Sequence, residues 1–600
     1  MDSGSDTERL SDTDKKTIKK VRRLINDVRY KKAIQDYEEH KDKYIYATKT
    51  RNYALKDPII DWLNMYGDTE KKDREGQGGG AGRFVEYIME KGLEYEEKIV
   101  NEIRKKIGEE NVVRCKEDAS RDTVIRDYKK TVALMQKRVH VIVSGMLIKP
   151  EERVYGYPDL IVRSDIAKVL FSGMHEETQE YIVIDIKSST LTIKNNGAIS
   201  DTGSIPAYKT QELCYVMGLK YLLGGNARED IGYLLGRKIL HTNGDVDGIA
   251  ESINMHLCTV DYAKEDSIYE EILREAVDWH KRLRMQGDKM QVFPFPSVVE
   301  LFPNMKNTSD SPWSRYKKEI AEYLGEITLL WYCGMREREI AHEKGIYSLR
   351  DPHCTPDALG VRGRKIAPLL DKILKINKEG EKKTYSIGYK DKIPEKIGGK
   401  REFFIDFEFC NNIVGVSKEQ SIIFMIGIYD AKEKKYINMT AKRLIKSEEE
   451  RIVQEMIQYI DGIGEEYVVY HWGDAEKRQM CEAMPEYIPK NWTDMIEVLH
   501  NSEVAVKGAY NFSLKSIARA MRKCGLIEDR DIYDGSIGNG LDAMVVAIQC
   551  DKDTKEDGDL LWSATKGGDL RDKQEIQDII TYNKEDCITM YDILEFIRNT

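Results

Sequence analysis

The sequence predicts an α/β protein with several domains. Its 600 residues exceed the length at which one hydrophobic core stops growing and a chain divides into domains. Short runs rich in Val, Ile and Phe, typical of buried strands, occur together with longer segments whose apolar residues recur at helical spacing. The hydrophobic fraction is 41%, and no apolar run reaches the roughly 20 residues that span a bilayer. We therefore expect a folded multidomain protein that is not inserted in a membrane.

The charge and the cysteine content limit the compartment and the partners. A net charge of −10 argues against long-range attraction to a polyanion, although a local basic groove can still bind one. The first residues, "MDSGSDTERLSDTDKK", are acidic and polar, unlike a secretory signal. The 10 cysteines are scattered without a CxxC pair, which is typical of buried thiols. We expect a cytoplasmic or nuclear-type intracellular protein, or a viral one, that is not secreted.

Changes in composition divide the chain into four segments. The glycine-rich stretch "GDTEKKDREGQGGGAGR" reads as a linker, and a proline-containing stretch begins at Gln291. The predicted segments are a basic helical region with its linker (1–83), a first α/β domain (84–290), a helical connector (291–400) and a second α/β domain (401–600). The basic run from Lys15 to Lys32 has two readings, a solvated helix face or a nucleic-acid contact.

The first chemically informative pattern combines carboxylates with a lysine. "RVYGYPDLIVRS" places Asp159 at the start of an apolar strand, and "EYIVIDIKSST" places Asp185 and Lys187 at the end of another, on one face. Glu96 lies upstream on a predicted helix. A charged pair beside a buried strand needs a partner. Carboxylates that hold divalent cations, with a lysine beside them, suit phosphodiester hydrolysis.

These residues resemble the motif of the PD-(D/E)xK nucleases, which have a restriction-endonuclease-like α/β core. A later helix, "AYKTQELCYVMGLKYLLGG", adds a QxxxY pair, and the whole order resembles the RecB-like branch. The resemblance implies that Mg²⁺ or Mn²⁺ is bound by Glu96, Asp159 and Asp185. It also implies that Lys187 is the catalytic lysine and that Gln211 and Tyr215 lie near the DNA strand.

Histidine and cysteine residues also occur near this motif. His140, in "KRVHVIVSG", is either an additional metal ligand or a structural residue. Members of the RecB-like branch that carry an iron–sulfur cluster need a set of cysteines around the core. The spacing of Cys115, Cys214 and Cys258 offers no such set, so no iron–sulfur cluster is predicted.

A second acidic pattern occupies the last third of the chain. In "KREFFIDFEFCNN", Asp406 and Glu408 share one face of a strand, and they repel each other unless a cation lies between them. In "YNKEDCITMYDILEFIR", Tyr582 and Asp586 share one face of a closing helix. That helical pair by itself has two readings, part of a site or an ordinary polar stripe.

The strand DxE and the late YxxxD resemble the DEDDy class of 3′ to 5′ exonucleases, which have an RNase H-like mixed-sheet fold and two metal ions. The resemblance implies that Asp406, Glu408 and Asp586 bind metal and that Tyr582 holds the attacking water. The middle motif departs from the pattern at "HWGDAE", where Asp474 and Glu476 are both available and Glu476 is favoured. Asp494, further on, is interpreted as structural.

The two patterns in this order resemble RecB-like nucleases fused to a C-terminal RNase H-like exonuclease, over residues 84–240 and 400–600. The resemblance implies a nuclease that acts on DNA, with RNA as a further substrate class, in recombination, repair or genome processing. The connector around Cys333 and Gly334 loosely resembles a helix-hairpin-helix, read as packing or as a DNA-backbone contact. The alternative is a nucleic-acid-binding scaffold or structural subunit with one or both sites inactive.

Overall fold

A computed structural model provides the structure of the chain. It describes residues 25–73, 81–116, 123–174, 180–224, 230–242, 246–247, 255–378, 380, 382–396, 400–411, 421–529, 540–553 and 569–600. Part of the predicted basic run, residues 15–24, and residues 74–80 of the predicted linker lie outside these ranges. Within them, no helix is both long enough and apolar enough to cross a membrane.

The chain divides into two compact units, each with helices and sheets, which confirms the predicted mixed α/β multidomain class. The first unit comprises Met1–Tyr66 and Glu90–Gln291, and the second comprises Gly67–Met89 and Val292–Thr600. The four segments predicted from composition stay a prediction.

The helices of the first unit are α1 (Asp27–His40), α2 (Arg51–Ala54), α3 (Ile59–Tyr66), α4 (Ala81–Ile107, whose residues up to Met89 belong to the second unit), α5 (Val124–Gln136), α6 (Ser164–Leu170), α7 (Ile205–Leu223) and α8 (Ile268–Gln286). Its strands are β1 (Ile45–Tyr46), β2 (Val112–Arg114), β3 (Val141–Val143), β4 (Leu147–Lys149), β5 (Val154–Gly156), β6 (Leu160–Arg163), β7 (Tyr181–Ile193), β8 (Ile231–His241), β9 (Val246–Asp247) and β10 (Cys258–Asp261).

The main sheet of the first unit is mixed and has the order β10-β8-β7-β6-β3-β2, with β9 paired to β8. A smaller sheet has the order β1-β5-β4. Apolar residues of β7 alternate between two core clusters, Tyr181 and Val183 in one and Ile182 and Ile184 in the other, so helices cover both faces. The helix α7 packs against β4, β5, β7 and β8, and it is apolar nearly all round because it is buried on most sides.

The strand β7 differs from the sequence expectation in its length. Asp185 and Lys187 were expected at the end of a strand, but β7 continues to Ile193. The strand continues because it pairs in parallel with β8. This pairing is interrupted by a register shift after Lys187 and resumes at Thr190. The charged pair therefore lies beside an irregularity in the middle of the strand, where the ladder is locally disrupted.

The helices of the second unit after α4 are α9 (Ser314–Leu324), α10 (Met335–Glu343), α11 (Ile366–Asn377), α12 (Lys446–Asp461), α13 (Ala475–Ala483), α14 (Met495–Asn501), α15 (Leu514–Lys523), α16 (Gly540–Asp553) and α17 (Gln574–Asn599). Its strands are β11 (Tyr385–Ser386), β12 (Arg401–Cys410), β13 (Ile422–Asp430), β14 (Lys435–Thr440), β15 (Tyr467–His471), β16 (Trp492–Asp494) and β17 (Ala505–Val506).

The main sheet of the second unit has the order β14-β13-β12-β15-β16. The strands β12, β13 and β14 form an antiparallel meander, and β15 and β16 extend the sheet in parallel. Helix α17 packs against β12 and β13, and α16 packs against β12. Phe404 lies in the core cluster that contains the C-terminal half of α17, whereas Phe403 and Ile405 lie in the cluster that contains α16 and the first turns of α17.

The connector differs from the expected pair of helices around Gly334. Only the C-terminal one forms, as α10, and its first residues are capped by Glu337, which accepts from the Gly334 amide. The preceding segment forms only a single 3-10 turn, Ile327–Leu329. After that turn the backbone is not helical, and the Trp331 amide donates to the Tyr510 carbonyl.

Candidate active sites

The strands β6 and β7 bring the first predicted acidic residues together. Leu160 pairs with Ile184 in antiparallel register, so Asp159, one residue before β6, lies opposite Asp185. The Ile186 amide donates to Asp159 Oδ2 at 2.6 Å. Lys187 Nζ lies 2.5 Å from Asp185 Oδ2, on the sheet face shared with Tyr181 and Val183.

The charges in this first cluster are strongly coupled. Asp185 is 1% exposed, and its Oδ1 atom has no hydrogen-bond donor among the described residues. Burial raises the pKa of Asp159 well above its usual value, and the charges of Asp185 and Glu96 raise it further, against the opposing effect of Lys187. Burial would lower the pKa of Lys187, but Asp185 and Asp159 outweigh it and raise that pKa. The lysine is therefore a stable cation among crowded carboxylates.

Helix α4 contributes Glu96 to the edge of the cluster. One turn earlier, a Cβ on Gly92 would lie 3.8 Å from Ser188 Oγ, so α4 passes close to β7. Burial raises the pKa of Glu96, Arg114 lowers it, and Asp185 raises it. Arg114 Nη1 lies 4.0 Å from Glu96 Oε1, so an arginine lies beside this glutamate.

Helix α7 places the predicted glutamine and tyrosine next to the same carboxylates. Gln211 Nε2 donates to the Tyr215 hydroxyl at 2.8 Å. Tyr215 is buried, and its pKa is raised by burial and then by the charges of Asp185 and Asp159. Gly156 in β5 leaves room for the ring, because a Cβ there would lie 2.5 Å from Tyr215 Cε1. The pair is thus held beside the cluster by packing.

Glu212, on the same helix, is a residue that sequence reasoning missed. It is completely buried, and its Oε1 accepts from the Tyr233 amide at 3.2 Å. Burial raises its pKa well above the usual value, and Asp185 adds to the rise. A Cβ on Gly232 would lie 2.7 Å from Glu212 Cγ. A glycine in a buried strand often marks such a close approach, and this was the only signal that could have pointed to Glu212.

The structure does not bring His140 to this cluster. It directly precedes β3, whose antiparallel register with β6 pairs Val141 with Val162, and the Arg163 amide donates to the His140 carbonyl. His140 is therefore at the opposite end of β6 from Asp159. Burial lowers its pKa, and the charged groups that act on it are Arg163, Asp165 and Glu110, so it is a structural residue.

The second cluster joins carboxylates from three elements. Asp406 and Glu408 lie on the face of β12 that is turned toward α17, which carries Tyr582 and Asp586. Burial raises the pKa of Asp406 well above its usual value, and Glu408, Asp586 and Glu476 add to it in that order. Burial and Asp586 raise the pKa of Glu408 to about 8. The predicted acidic residues therefore share one low-dielectric space.

The structure separates the two candidates for the middle position. The Asp474 side chain is 87% exposed and pairs with Arg478 at 3.6 Å. The Glu476 side chain is 6% exposed, and its Oε2 lies 3.7 Å from His471 Nδ1. Asp494 caps α14, because its Oδ1 accepts from the Ile496 and Gly473 amides, both at 2.8 Å. Glu476 thus faces the cluster, whereas Asp474 faces solvent.

Tyr582 lies directly against this cluster. Its hydroxyl is hydrogen-bonded to Asp586, and its pKa is raised by burial and then by Asp586, Glu408 and Asp406. The phenol is therefore protonated throughout the physiological range. It can hold a water molecule by hydrogen bonds, but it cannot act as a base there.

Asn583, between the predicted tyrosine and aspartate, is a second residue that sequence reasoning missed. Its Nδ2 donates to the Asp406 carbonyl at 3.1 Å and to Asp406 Oδ2 at 2.8 Å. Its Oδ1 accepts from the Tyr436 hydroxyl at 2.9 Å. A Cβ on Gly427, which pairs with Asp406 in the sheet, would lie 1.7 Å from Asn583 Oδ1. The lone glycine in "IIFMIGIYD" was the available signal.

Lys515 is a third such residue, at the start of α15. Its side chain is exposed, and its Nζ lies 4.6 Å from the centroid of the Tyr582 ring. Burial raises the pKa of Asp406, Glu408 and Asp586, and the charge of Lys515 opposes that rise in each case. Nothing in its sequence surroundings, "NFSLKSIARAM", distinguished it from a solvated lysine.

The fit of both clusters to a divalent cation is partial. Among the described residues, no group of three or more His, Cys, Asp or Glu side chains is arranged to hold a metal ion. Each cluster does contain a buried carboxylate oxygen that lacks a hydrogen-bond donor there, Asp185 Oδ1 and Glu476 Oε2. Mg²⁺ commonly binds through one or two carboxylates and retains several waters. The donor sets fit a hydrated cation of this kind, and they do not form a complete cage.

No family model matches this sequence, and no curated protein matches it. The resemblances carried by the two sets of motifs therefore stay predictions.

Proposed function

We propose that this protein is a divalent-metal-dependent nuclease with two active sites, both of which hydrolyse phosphodiester bonds of DNA. The observation that carries the proposal is the presence of a buried carboxylate cluster in each unit, with Lys187 beside one and Tyr582 beside the other. We assign the first unit to the RecB-like PD-(D/E)xK nucleases, with a restriction-endonuclease-like core. We assign the second to the RNase H-like DEDDy exonucleases.

The electrostatics of both clusters support this assignment over a structural role. Ionised carboxylates in a buried space are unfavourable unless they are paired with cations or well hydrogen-bonded. Burial, and after it the neighbouring carboxylates, raise the pKa values of Asp159 and Asp406 well above their usual range. Such clusters are typical of functional sites, and a divalent cation relieves the repulsion.

In the first unit, Asp159, Asp185 and Glu96 would hold Mg²⁺ or Mn²⁺. The cation would stabilise charge on the phosphate and lower the pKa of a bound water. Lys187 is held protonated by Asp185 and Asp159, so its role would be to donate hydrogen bonds and to offset developing negative charge. Gln211 and Tyr215, joined by a hydrogen bond, would contact the strand next to the cleaved bond.

In the second unit, Asp406, Glu408, Glu476 and Asp586 would hold the cations. Tyr582 would orient the attacking water through its protonated hydroxyl. Asn583 holds the Asp406 carboxylate in place through its amide, which donates to both the carbonyl and the side chain of that residue. The expected reaction is removal of nucleotides from 3′ ends.

Single substitutions in each site test the proposal. Lys187→Ala should abolish cleavage by the first site and spare the second, and Asp406→Ala should do the reverse. Glu476→Ala and Asp474→Ala form a matched pair, because both remove one carboxylate from the same helix start but only Glu476 faces the cluster. We expect Glu476→Ala to abolish the activity of the second site and Asp474→Ala to leave it unchanged.

The assay uses end-labelled single- and double-stranded DNA and RNA with Mg²⁺ or Mn²⁺, so that the products report which end is attacked. Full activity of both Lys187→Ala and Asp406→Ala would show that the two-site proposal is wrong. The alternative is a nucleic-acid-binding scaffold, favoured by the altered middle motif and by the absence of a complete cation cage among the described residues. The scaffold alternative predicts that calorimetry detects no Mg²⁺ or Mn²⁺ binding that is lost in Asp185→Ala or in Asp406→Ala.

A further inference from the structure

Lys515 is an exposed cation at the mouth of the second carboxylate cluster. It is the second residue of α15, and its ammonium lies over the ring of Tyr582 at 4.6 Å from the centroid. Its charge acts on Asp406, Glu408 and Asp586, which come from β12 and α17. The lysine therefore faces the cluster from α15, an element that supplies none of the carboxylates, and from the side open to solvent.

The helix itself does not favour a lysine at this position. The first turn of a helix attracts anions and disfavours cations, because the helix dipole is positive at that end. The cap of α15 is supplied by Ser513, whose hydroxyl accepts from the Ser516 amide at 3.3 Å. Arg522 and Lys523 lie in the last turn, where cations are favourable. The placement of Lys515 is thus explained by the acidic cluster and not by α15.

A nucleic-acid substrate brings more negative charge to a cluster that is already crowded with carboxylates. A cation on the solvent side of the cluster would attract a phosphate group and hold it next to Tyr582. Lysine suits this task, because its compact ammonium has three rotatable donors on a flexible stem. The same side chain can then interact with the carboxylates before the substrate arrives and with a phosphate afterwards.

We propose that Lys515 binds a phosphate group of the nucleic-acid strand in the second site and, without substrate, serves as a counter-charge to the carboxylates there. This inference rests on the proposed nuclease function of that site and names the residue that contacts the substrate backbone. Lys515 is distinct from the residues that would hold the cations.

The test compares Lys515→Gln, which removes the charge, with Lys515→Arg, which keeps it. Lys477→Gln is the matched control, because Lys477 is an exposed lysine on α13 next to Glu476 and loses the same charge. Binding of a fluorescein-labelled single-stranded oligodeoxynucleotide is measured by anisotropy over a range of salt concentrations, with Ca²⁺ in place of Mg²⁺ or Mn²⁺. Binding of Mn²⁺ without nucleic acid is measured by calorimetry.

We expect Lys515→Gln to weaken oligonucleotide binding about 10-fold or more, since hydrogen bonds to charged groups contribute about 1.5–3 kcal/mol. The slope of log affinity against log salt should become smaller by about 0.7, the value for one phosphate contact with a single strand. Lys515→Arg and Lys477→Gln should bind as the parent protein does. The Mn²⁺ affinity of Lys515→Gln should be unchanged or higher, because a competing cation is removed.

A purely structural role, in which Lys515 only supports Tyr582, predicts a weaker Mn²⁺ affinity with an unchanged salt slope, and that result would overturn the proposal. An unchanged oligonucleotide affinity in Lys515→Gln would overturn it as well. Failure of the nuclease function of this site is recognised separately, because Asp406→Ala would then remove nucleotides from 3′ ends as the parent protein does. The binding measurement does not depend on cleavage.

Discussion

Replacement of Gly427 by alanine tests how the second site is held together. Gly427 lies in β13 opposite Asp406, and a Cβ there would lie 1.7 Å from Asn583 Oδ1. That distance is far inside van der Waals contact, and Asn583 is 0% exposed. The amide must therefore move, and it loses its bonds to Asp406 and from Tyr436.

The expected loss of stability follows from these contacts. Overpacking a core costs typically about 1–3 kcal/mol, and leaving a buried polar group unsatisfied costs about 1–3 kcal/mol. Alanine is more favourable than glycine in a strand by about 0.5–1 kcal/mol, which offsets part of this loss of stability. The free energy of unfolding should fall by about 3 kcal/mol. The affected unfolding transition should move down by roughly 5–10 °C.

The assay is thermal unfolding followed by circular dichroism, in the presence of a chelator so that cation binding does not contribute. Gly92→Ala is the control, because its Cβ would meet Ser188 Oγ at an ordinary 3.8 Å within a helix, and no loss is expected. In an Asn583→Ala background the clash with the amide is removed and a 2.9 Å approach to the Tyr436 hydroxyl remains, so Gly427→Ala should cost much less there. The two changes should therefore be strongly non-additive. An equal cost in both backgrounds would refute the reasoning.

Two further predictions concern each unit separately. Lys209 is completely buried in the first unit, with its Nζ 2.7 Å from Asp201 Oδ1 and 2.6 Å from Asp266 Oδ1. Lys209→Met should lower the free energy of unfolding by about 3–5 kcal/mol, as measured by denaturant titration, and a loss below 1 kcal/mol would contradict the buried pairing. In the second unit, burial lowers the pKa of His342 from 6.5 to about 4. The unfolded chain thus binds a proton first, so stability falls as the pH drops from about 6.5 to about 4. His342→Phe cannot titrate and should lose less stability over that range, and equal losses in both proteins would exclude the effect.

Local periodicity accounts for the parts of the sites that were predictable. Asp185 and Lys187 are two apart on a strand, and Gln211 and Tyr215 are four apart on a helix. Such spacings place side chains on one face whatever the rest of the chain does. The structure has both pairs at bonding distance. Their assignment to a nuclease depends on a resemblance and stays a prediction.

Long-range pairing determined what the sequence could not specify. The strand β7 continues beyond Lys187 because β8, more than forty residues later, offers it a partner. His140 is kept from the first cluster by the antiparallel register of β3 with β6. Neither the length of a paired strand nor its register is encoded in the residues of one strand alone.

The amino-acid sequence by itself determined the α/β class and the residue pairs that lie one strand repeat or one helical turn apart, because these depend on backbone geometry over a few residues. Only the tertiary structure decided that Glu476 faces the second cluster while Asp474 faces solvent, and that Glu212, Asn583 and Lys515 lie beside the carboxylates. Those positions depend on which helix packs on which sheet face. Burial and electrostatic coupling arise from that packing and not from neighbours in sequence.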